Sequence, residues 1–200
     1  MSDMPPKLHL ASGSPRRREI LTALGLDFTH AAVDLDERRL EREPPEEMVV
    51  RLAAAKAAAA KGAGRVAGRV VIGADTAVVL GSRVLGKPRS EDDALAMLAA
   101  LSGKAHQVMT GVAVVSAGGT ATALSRSEVR FRDIDPAEAA EYWQSGEPRD
   151  KAGAYGIQGK GGIFVAGLRG SYSGVVGLPV FETAELLSAA GIDVLRGVRT

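Results

Sequence analysis

Leu8-His9-Leu10-Ala11-Ser12-Gly13-Ser14-Pro15-Arg16-Arg17-Arg18-Glu19-Ile20-Leu21 is the stretch whose reading decides the fold class. A short apolar run ends in a Ser-Gly-Ser turn, after which Ser14 can cap a helix and Pro15 can stand at its first position. Ile20, Leu21 and Leu24 carry the helical period until Gly25 stops it. Working outward, residues 28–32 read as a second strand, 34–45 as a loop, and Glu46-Glu47 as the opening of an Ala-rich helix through Lys61. Val70-Val71-Ile72 reads as a buried strand interrupted at Gly73-Ala74-Asp75-Thr76 and resumed over 77–80, with a hairpin turn at Gly81-Ser82-Arg83. Ser90 caps a helix with Ala94, Leu95, Leu98 and Leu101 on its apolar face. Two long strands, 108–115 and 120–131, meet at Gly118-Gly119. Pro136 starts a helix through Trp143, and Pro179 at the first position starts the last one, through Ala190. Strands and helices alternate without a repeat period, which places the chain in the α/β or mixed α+β class. No linker divides it, so the expectation is one domain over residues 1–200, two lobes around one extended sheet.

The chain has 200 residues, 46% of them hydrophobic, enough for a core that needs no disulfide or structural metal. With 25 basic against 24 acidic residues the net charge is +1, and aromatics are 4%. A nucleic-acid polymer needs a basic field or stacking platforms, so it is excluded as a partner. No cysteine and three scattered histidines leave no thiol nucleophile and no soft-metal cage, so any metal is expected to be hard and oxygen-bound. Residues 1–7 carry Asp3 and two prolines instead of a basic, then apolar, secretory signal, and no apolar run reaches the ~18 residues of a membrane span. A cytoplasmic protein without a membrane partner is expected.

Four features carry chemistry. Arg16, Arg17 and Arg18 crowd the first turn of a helix, where the macrodipole disfavours cations by about 0.3–1 kcal/mol each. With the hydroxyls and amides of Ser12, Gly13 and Ser14 they make a phosphate site, or else a well-capped surface helix; spacing alone leaves both open. Asp75 stands in an apolar strand that carboxylates avoid, with Gly73 and Ala74 leaving room for a ligand. Such an Asp can bind a divalent cation or orient water. The segment from Gly81 to Lys87 begins like a P-loop, but Pro88 replaces the needed hydroxyl and the P-loop is rejected. Lys87 stays a point charge for a polyphosphate or a solvated loop lysine. The glycines from Gly153 to Gly162 exceed what a connector needs and are read as backbone approaching a flat ligand, the alternative being a flexible loop. Gln158 among them has a donor and an acceptor for the imide edge of uracil or thymine. His106 and Trp143 read as structural.

These segments together resemble the Maf family of nucleoside triphosphate pyrophosphatases: Leu10 through Leu21, Gly73-Ala-Asp-Thr76, Gly86-Lys-Pro88, Ser102-Gly103 to Thr110-Gly111, Asp150-Lys-Ala-Gly153 and Val175-Val-Gly-Leu-Pro179. The resemblance implies an elongated, twisted mixed sheet flanked by helices in two lobes with a central cleft, similar to the inosine triphosphate pyrophosphatases. It implies hydrolysis of a nucleoside triphosphate to monophosphate and pyrophosphate with Mg²⁺ or Mn²⁺, in a cytoplasmic homodimer. Gly153-Ala-Tyr-Gly-Ile-Gln-Gly159 is similar to the branch acting on dTTP and UTP; the branch acting on 7-methyl-GTP differs here, and a role as a regulator of septum formation is the non-enzymatic alternative. By the same resemblance Asp75 is the general base or the residue that positions it, Arg16, Thr76 and Gln158 set base specificity, and Glu37 joins Asp75 at the metal. Lys56 and Lys87 meet phosphates together with Ser12, Ser14 and Arg17. Ser173 departs from the Asn frequent in the family.

Overall fold

A computed structural model describes residues 7–62 and 66–198. The stretch inspected for a secretory signal lies, over residues 1–6, outside the described residues. Along the chain run β1 (Leu8–Leu10), α1 (Pro15–Ala23), β2 (Phe28–His30), α2 (Pro45–Gly62), β3 (Val70–Leu80), β4 (Arg83–Leu85) and α3 (Glu91–Leu101). Then follow β5 (Ala105–Ser116), β6 (Gly119–Phe131), α4 (Pro136–Gln144), β7 (Val165–Arg169), α5 (Tyr172–Val176), α6 (Val180–Ala189) and the small pair β8 (Ile192–Asp193) and β9 (Gly197–Val198). Seven strands form one sheet in the order β2-β1-β3-β5-β6-β7, with β4 paired to β3. β1 is parallel to both β2 and β3, each reached through a helical connection, as parallel pairing requires. β4 on β3 and β7 on β6 are antiparallel, so the sheet is mixed and the class is α/β, as expected from the alternation.

The chain divides into two compact units: Met1–Asp75, Thr110–Ser125 and Gly177–Thr200 in one, Thr76–Met109 and Arg126–Val176 in the other. In the first, β3 is covered on both faces. Ile72 and Ala74 pack with Leu10, Leu21, Val112 and Leu178, while Val71 packs with Ala53, Ala57 and Ala113. Alternate residues of a strand point to opposite faces, and burial of both explains why this segment is apolar throughout. The second unit has its own core, built around Leu98, Phe131, Tyr142, Tyr155 and Phe164. His106 belongs there, with Nε2 2.8 Å from the Tyr155 hydroxyl and its ring edge-on to Phe131. Burial lowers its pKa from 6.5 to about 4, consistent with the structural role read for it. Trp143 is half-buried against that core with the Arg149 guanidinium over its ring.

Several local expectations are corrected. β3 runs unbroken through Gly73-Ala74-Asp75-Thr76. β2 ends at His30, two residues short of the expected strand. Pro179 is the N-cap of α6 and not its first helical residue. Ser14 does hold the N-cap place of α1, but its side chain makes no capping bond among the described residues. The hydroxyl that serves this turn is that of Ser12, which accepts from the Ser14 amide at 3.2 Å. By contrast Ser90 caps α3 through the Asp93 amide, and Asp135 and Glu138 form a capping box on α4.

Candidate active site

Gly73 and Asp75 share the face of β3 that meets α2. A Cβ on Gly73 would run into the backbone of Ala53 and Ala57, and one on Gly111 of the neighbouring β5 into the backbone of Val49 and Val50. The room that Gly73 leaves is therefore filled by α2, not by a ligand, and two glycines let the helix lie directly on the sheet. That close seating brings the buried Lys56 to the buried Asp75. Lys56 Nζ donates to Asp75 Oδ1 at 2.7 Å and stands 2.6 Å from Oε1 of Glu37, whose side chain is 50% exposed. One ammonium thus joins a carboxylate inside the fold to one that reaches solvent.

The Ser-rich turn after β1 supplies the second half. Ser12 Oγ accepts from Arg17 Nη1 at 3.1 Å, and Arg17 Nε donates to the Gly177 carbonyl at 2.8 Å. Burial lowers the Arg17 pKa, Asp75 acts against it, Arg16 adds to it, and Glu37 again opposes. Burial raises the Asp75 carboxyl above its ordinary range, against Lys56 and Arg17, while Glu37 pushes the same way as burial. Arg16, Arg17 and Lys56 therefore act together with two carboxylates, and burial works against the charge of both Asp75 and Arg17.

Ser12, Arg17, Lys56, Asp75 and Glu37 are brought together in the first unit, with half-buried Ser14 and Arg16 in the same turn. Thr76, Lys87 and Gln158 belong to the second unit. Thr76 is half-buried and points to the face of β3 opposite Asp75. Lys87 is exposed just beyond β4, and Gln158 is exposed in a turn. The glycines around Gln158 do not leave backbone bare for a flat ligand. A Cβ on Gly156 would meet Lys151, on Gly159 and Gly161 the Glu147 carboxylate and the Tyr142 hydroxyl, and on Gly162 the Ile157 carbonyl. The segment is glycine-rich because it coils closely on its own neighbours.

The model of the Maf-like protein family matches residues 7–190. The chain belongs to the Maf family. A dTTP/UTP pyrophosphatase of Saccharophagus degradans is 51% identical over 189 residues, covering 94% of this chain and 90% of that protein. A protein of the same name from Hahella chejuensis is 51% identical over 189 residues, covering 94% of each. Another from Anaeromyxobacter dehalogenans is 53% identical over 195 residues, 96% of this chain and 97% of that protein. This member of the Maf family has no helix, among the described residues, long and apolar enough to cross a membrane.

Glu37 and Asp75 are hard oxygen donors converging on one cationic point, the donor type that Mg²⁺ or Mn²⁺ takes. Among the described residues no group of three His, Cys, Asp or Glu could hold an ion. A cation at this pair therefore needs further oxygens from water or a substrate's phosphates, which suits Mg²⁺, an ion that keeps waters and shares substrate oxygens. Sequence reading missed the Gly177 carbonyl as an anchor for Arg17, although it lies inside the Val175 to Pro179 motif. It also missed Glu147, whose carboxylate organises the Gln158 segment from 13 residues away, a distance at which no local periodicity speaks.

Proposed function

We propose that this Maf protein hydrolyses dTTP and UTP to the nucleoside monophosphate and pyrophosphate. The single observation that carries the reading is the buried Asp75, raised above its ordinary range and joined through Lys56 to Glu37 beside Arg17. Relatives named dTTP/UTP pyrophosphatase over nearly the whole chain support the substrate class. In this mechanism Ser12, Ser14, Arg17, Lys56 and Lys87 hold the triphosphate, and Asp75 takes a proton from water as its oxygen bonds to the α-phosphorus. The bond from that phosphorus to the bridging oxygen breaks, and pyrophosphate leaves. A carboxylate with a raised pKa is the better base for this, and neutralising the polyanion supplies most of the remaining barrier reduction. Glu37 and Asp75 would hold Mg²⁺ or Mn²⁺, which neutralises charge on the triphosphate. Arg16, Thr76 and Gln158 select the base, with the Gln158 amide facing the imide edge of uracil or thymine. The reading includes one Maf-like domain over residues 1–200 acting as a cytoplasmic homodimer.

Pyrophosphate release from dTTP, UTP, dCTP, dATP, GTP and 7-methyl-GTP, each with Mg²⁺ and with Mn²⁺, tests it. Turnover of dTTP and UTP is expected well above the purines, and Asp75→Asn is expected to lower kcat by about a thousand-fold. Preference for 7-methyl-GTP would move the chain to the other branch of the family. Tight dTTP binding without hydrolysis under either cation would make it a nucleotide-binding regulator instead.

A further inference from the structure

The Gln158 segment is clamped by a side chain that has no part in the chemistry above. Glu147 Oε2 accepts from the Lys160 amide at 2.8 Å, and Oε1 accepts from the Gly161 amide at 3.1 Å and from the Tyr142 hydroxyl at 2.7 Å. The same Tyr142 oxygen accepts from the Gly156 amide at 3.1 Å. Two groups thus grip the segment on both sides of Gln158, at Gly156 before it and at Lys160 and Gly161 after it. Lys151 Nζ donates to the Glu147 carbonyl at 2.6 Å and to Asp150 Oδ1 at 2.8 Å, fixing the other end of the clamp. Tyr142 is itself held in the core, edge-on to Phe164 at 5.2 Å. The grip is close enough that side chains at 156, 159 and 161 would strike Lys151, Glu147 and Tyr142. Gln158, which is exposed, sits at the tip of this anchored coil.

We infer that Glu147 is a positioning residue for base selection: through Tyr142 and the amides of Lys160 and Gly161 it sets where the Gln158 amide is presented to the pyrimidine. This rests on the reading of Gln158 as the base contact. Three donors, two backbone amides and one hydroxyl, converge on one carboxylate, and only an acceptor on both oxygens serves them all. A glutamine there turns an N–H₂ group toward an amide N–H whichever way it is placed, so the clamp loses at least one bond and leaves a donor unpaired.

The test uses Gln158→Ala, Glu147→Gln, Tyr142→Phe and the double variant Glu147→Gln/Gln158→Ala. Steady-state kinetics on dTTP and GTP are combined with hydrogen exchange at the amides of residues 156–161. Glu147→Gln is expected to raise KM for dTTP about ten-fold with kcat within about three-fold, and to lower the preference for dTTP over GTP by a similar factor. Exchange at Lys160 and Gly161 should speed up at the same time. Tyr142→Phe keeps the ring in the core and removes one side of the grip, so it should shift KM in the same direction even if Glu147→Gln folds poorly. The double variant should be no less selective than Gln158→Ala alone. If Gln158→Ala leaves the preference unmoved, the reading of Gln158 fails and the inference with it. If Gln158→Ala lowers the preference while Glu147→Gln and Tyr142→Phe only lower Tm, or if the losses simply add in the double variant, the inference alone is overturned.

Discussion

At the residue scale, Lys56 carries more than a phosphate contact. Its ammonium lies within 2.7 Å of both Asp75 and Glu37, and it is buried. Removing one member of a buried ion pair strands the other charge, at a cost of about 3 kcal/mol or more. Lys56→Met is therefore expected to lower stability by about that amount in urea unfolding and to lower dTTP turnover by about a hundred-fold. Turnover within two-fold of the parent protein, in a variant that is folded at the assay temperature, would remove the ammonium from the chemistry. Asp75 was legible in the sequence because a carboxylate inside an apolar strand contradicts its surroundings. Lys56 was not legible from its own surroundings, since an Ala-rich helix with periodic charges accounts for itself by propensity alone. Its role appears only when α2 is seated on β3, and it enters the sequence reading only through the family resemblance.

The seating of α2 is the decisive event at the scale of elements. Gly73 and Gly111 stand where a Cβ would strike helix backbone, and backbone cannot swing aside as a side chain can. Gly73→Ala should push α2 from the sheet at a cost of about 3 kcal/mol, a fall in Tm of about 6–12 °C for a chain of this length. It should also lower turnover, because Lys56 moves with the helix. Scanning calorimetry and dTTP kinetics on the same sample check both, and an unchanged Tm would contradict the close contact. Gly73 in an apolar run had the signature of an interruption, and that reading failed because the glycine serves a neighbour packed across the strand, not a turn within it. The hairpin at Gly81 and the starts of α3 and α4 were legible because their signals are local: Gly81 at positive φ, Ser90 on α3, Pro136 opening α4. β7 and α5 were not, because in Gly-rich chain the side chains that would show period 2 or 3.6 are missing, and tertiary contacts such as Ser127 with Ser171 fix the path instead.

For the whole molecule the charge count of +1 conveys little about how stability responds to protons, because that response depends on which groups are buried. Glu43, paired with Arg51, and Glu138, paired with Arg132, are held at about 2, so their stabilisation is present above 4.5 and fades only as the pH falls toward 2. Asp75 acts with the opposite sign, since a raised carboxyl binds its proton more readily in the folded chain. His106 governs a higher window. Its folded pKa of about 4 lies below the unfolded 6.5, so between those values the unfolded chain binds a proton that the folded chain refuses, and stability falls with the pH. Buried His9 is lowered by burial, then by Arg69 and His30, and adds in the same direction. Two of the three histidines scattered along the sequence thus bear on the acid response of the fold through burial that no spacing reveals. From pH 7 to pH 5 His106 alone should cost about 2 kcal/mol. Urea unfolding at the two pH values measures this directly. His106→Gln retains a partner for the Tyr155 hydroxyl but cannot titrate, so in that variant the difference between pH 7 and pH 5 should shrink by the same amount; a slope equal to that of the parent protein would place the acid sensitivity elsewhere.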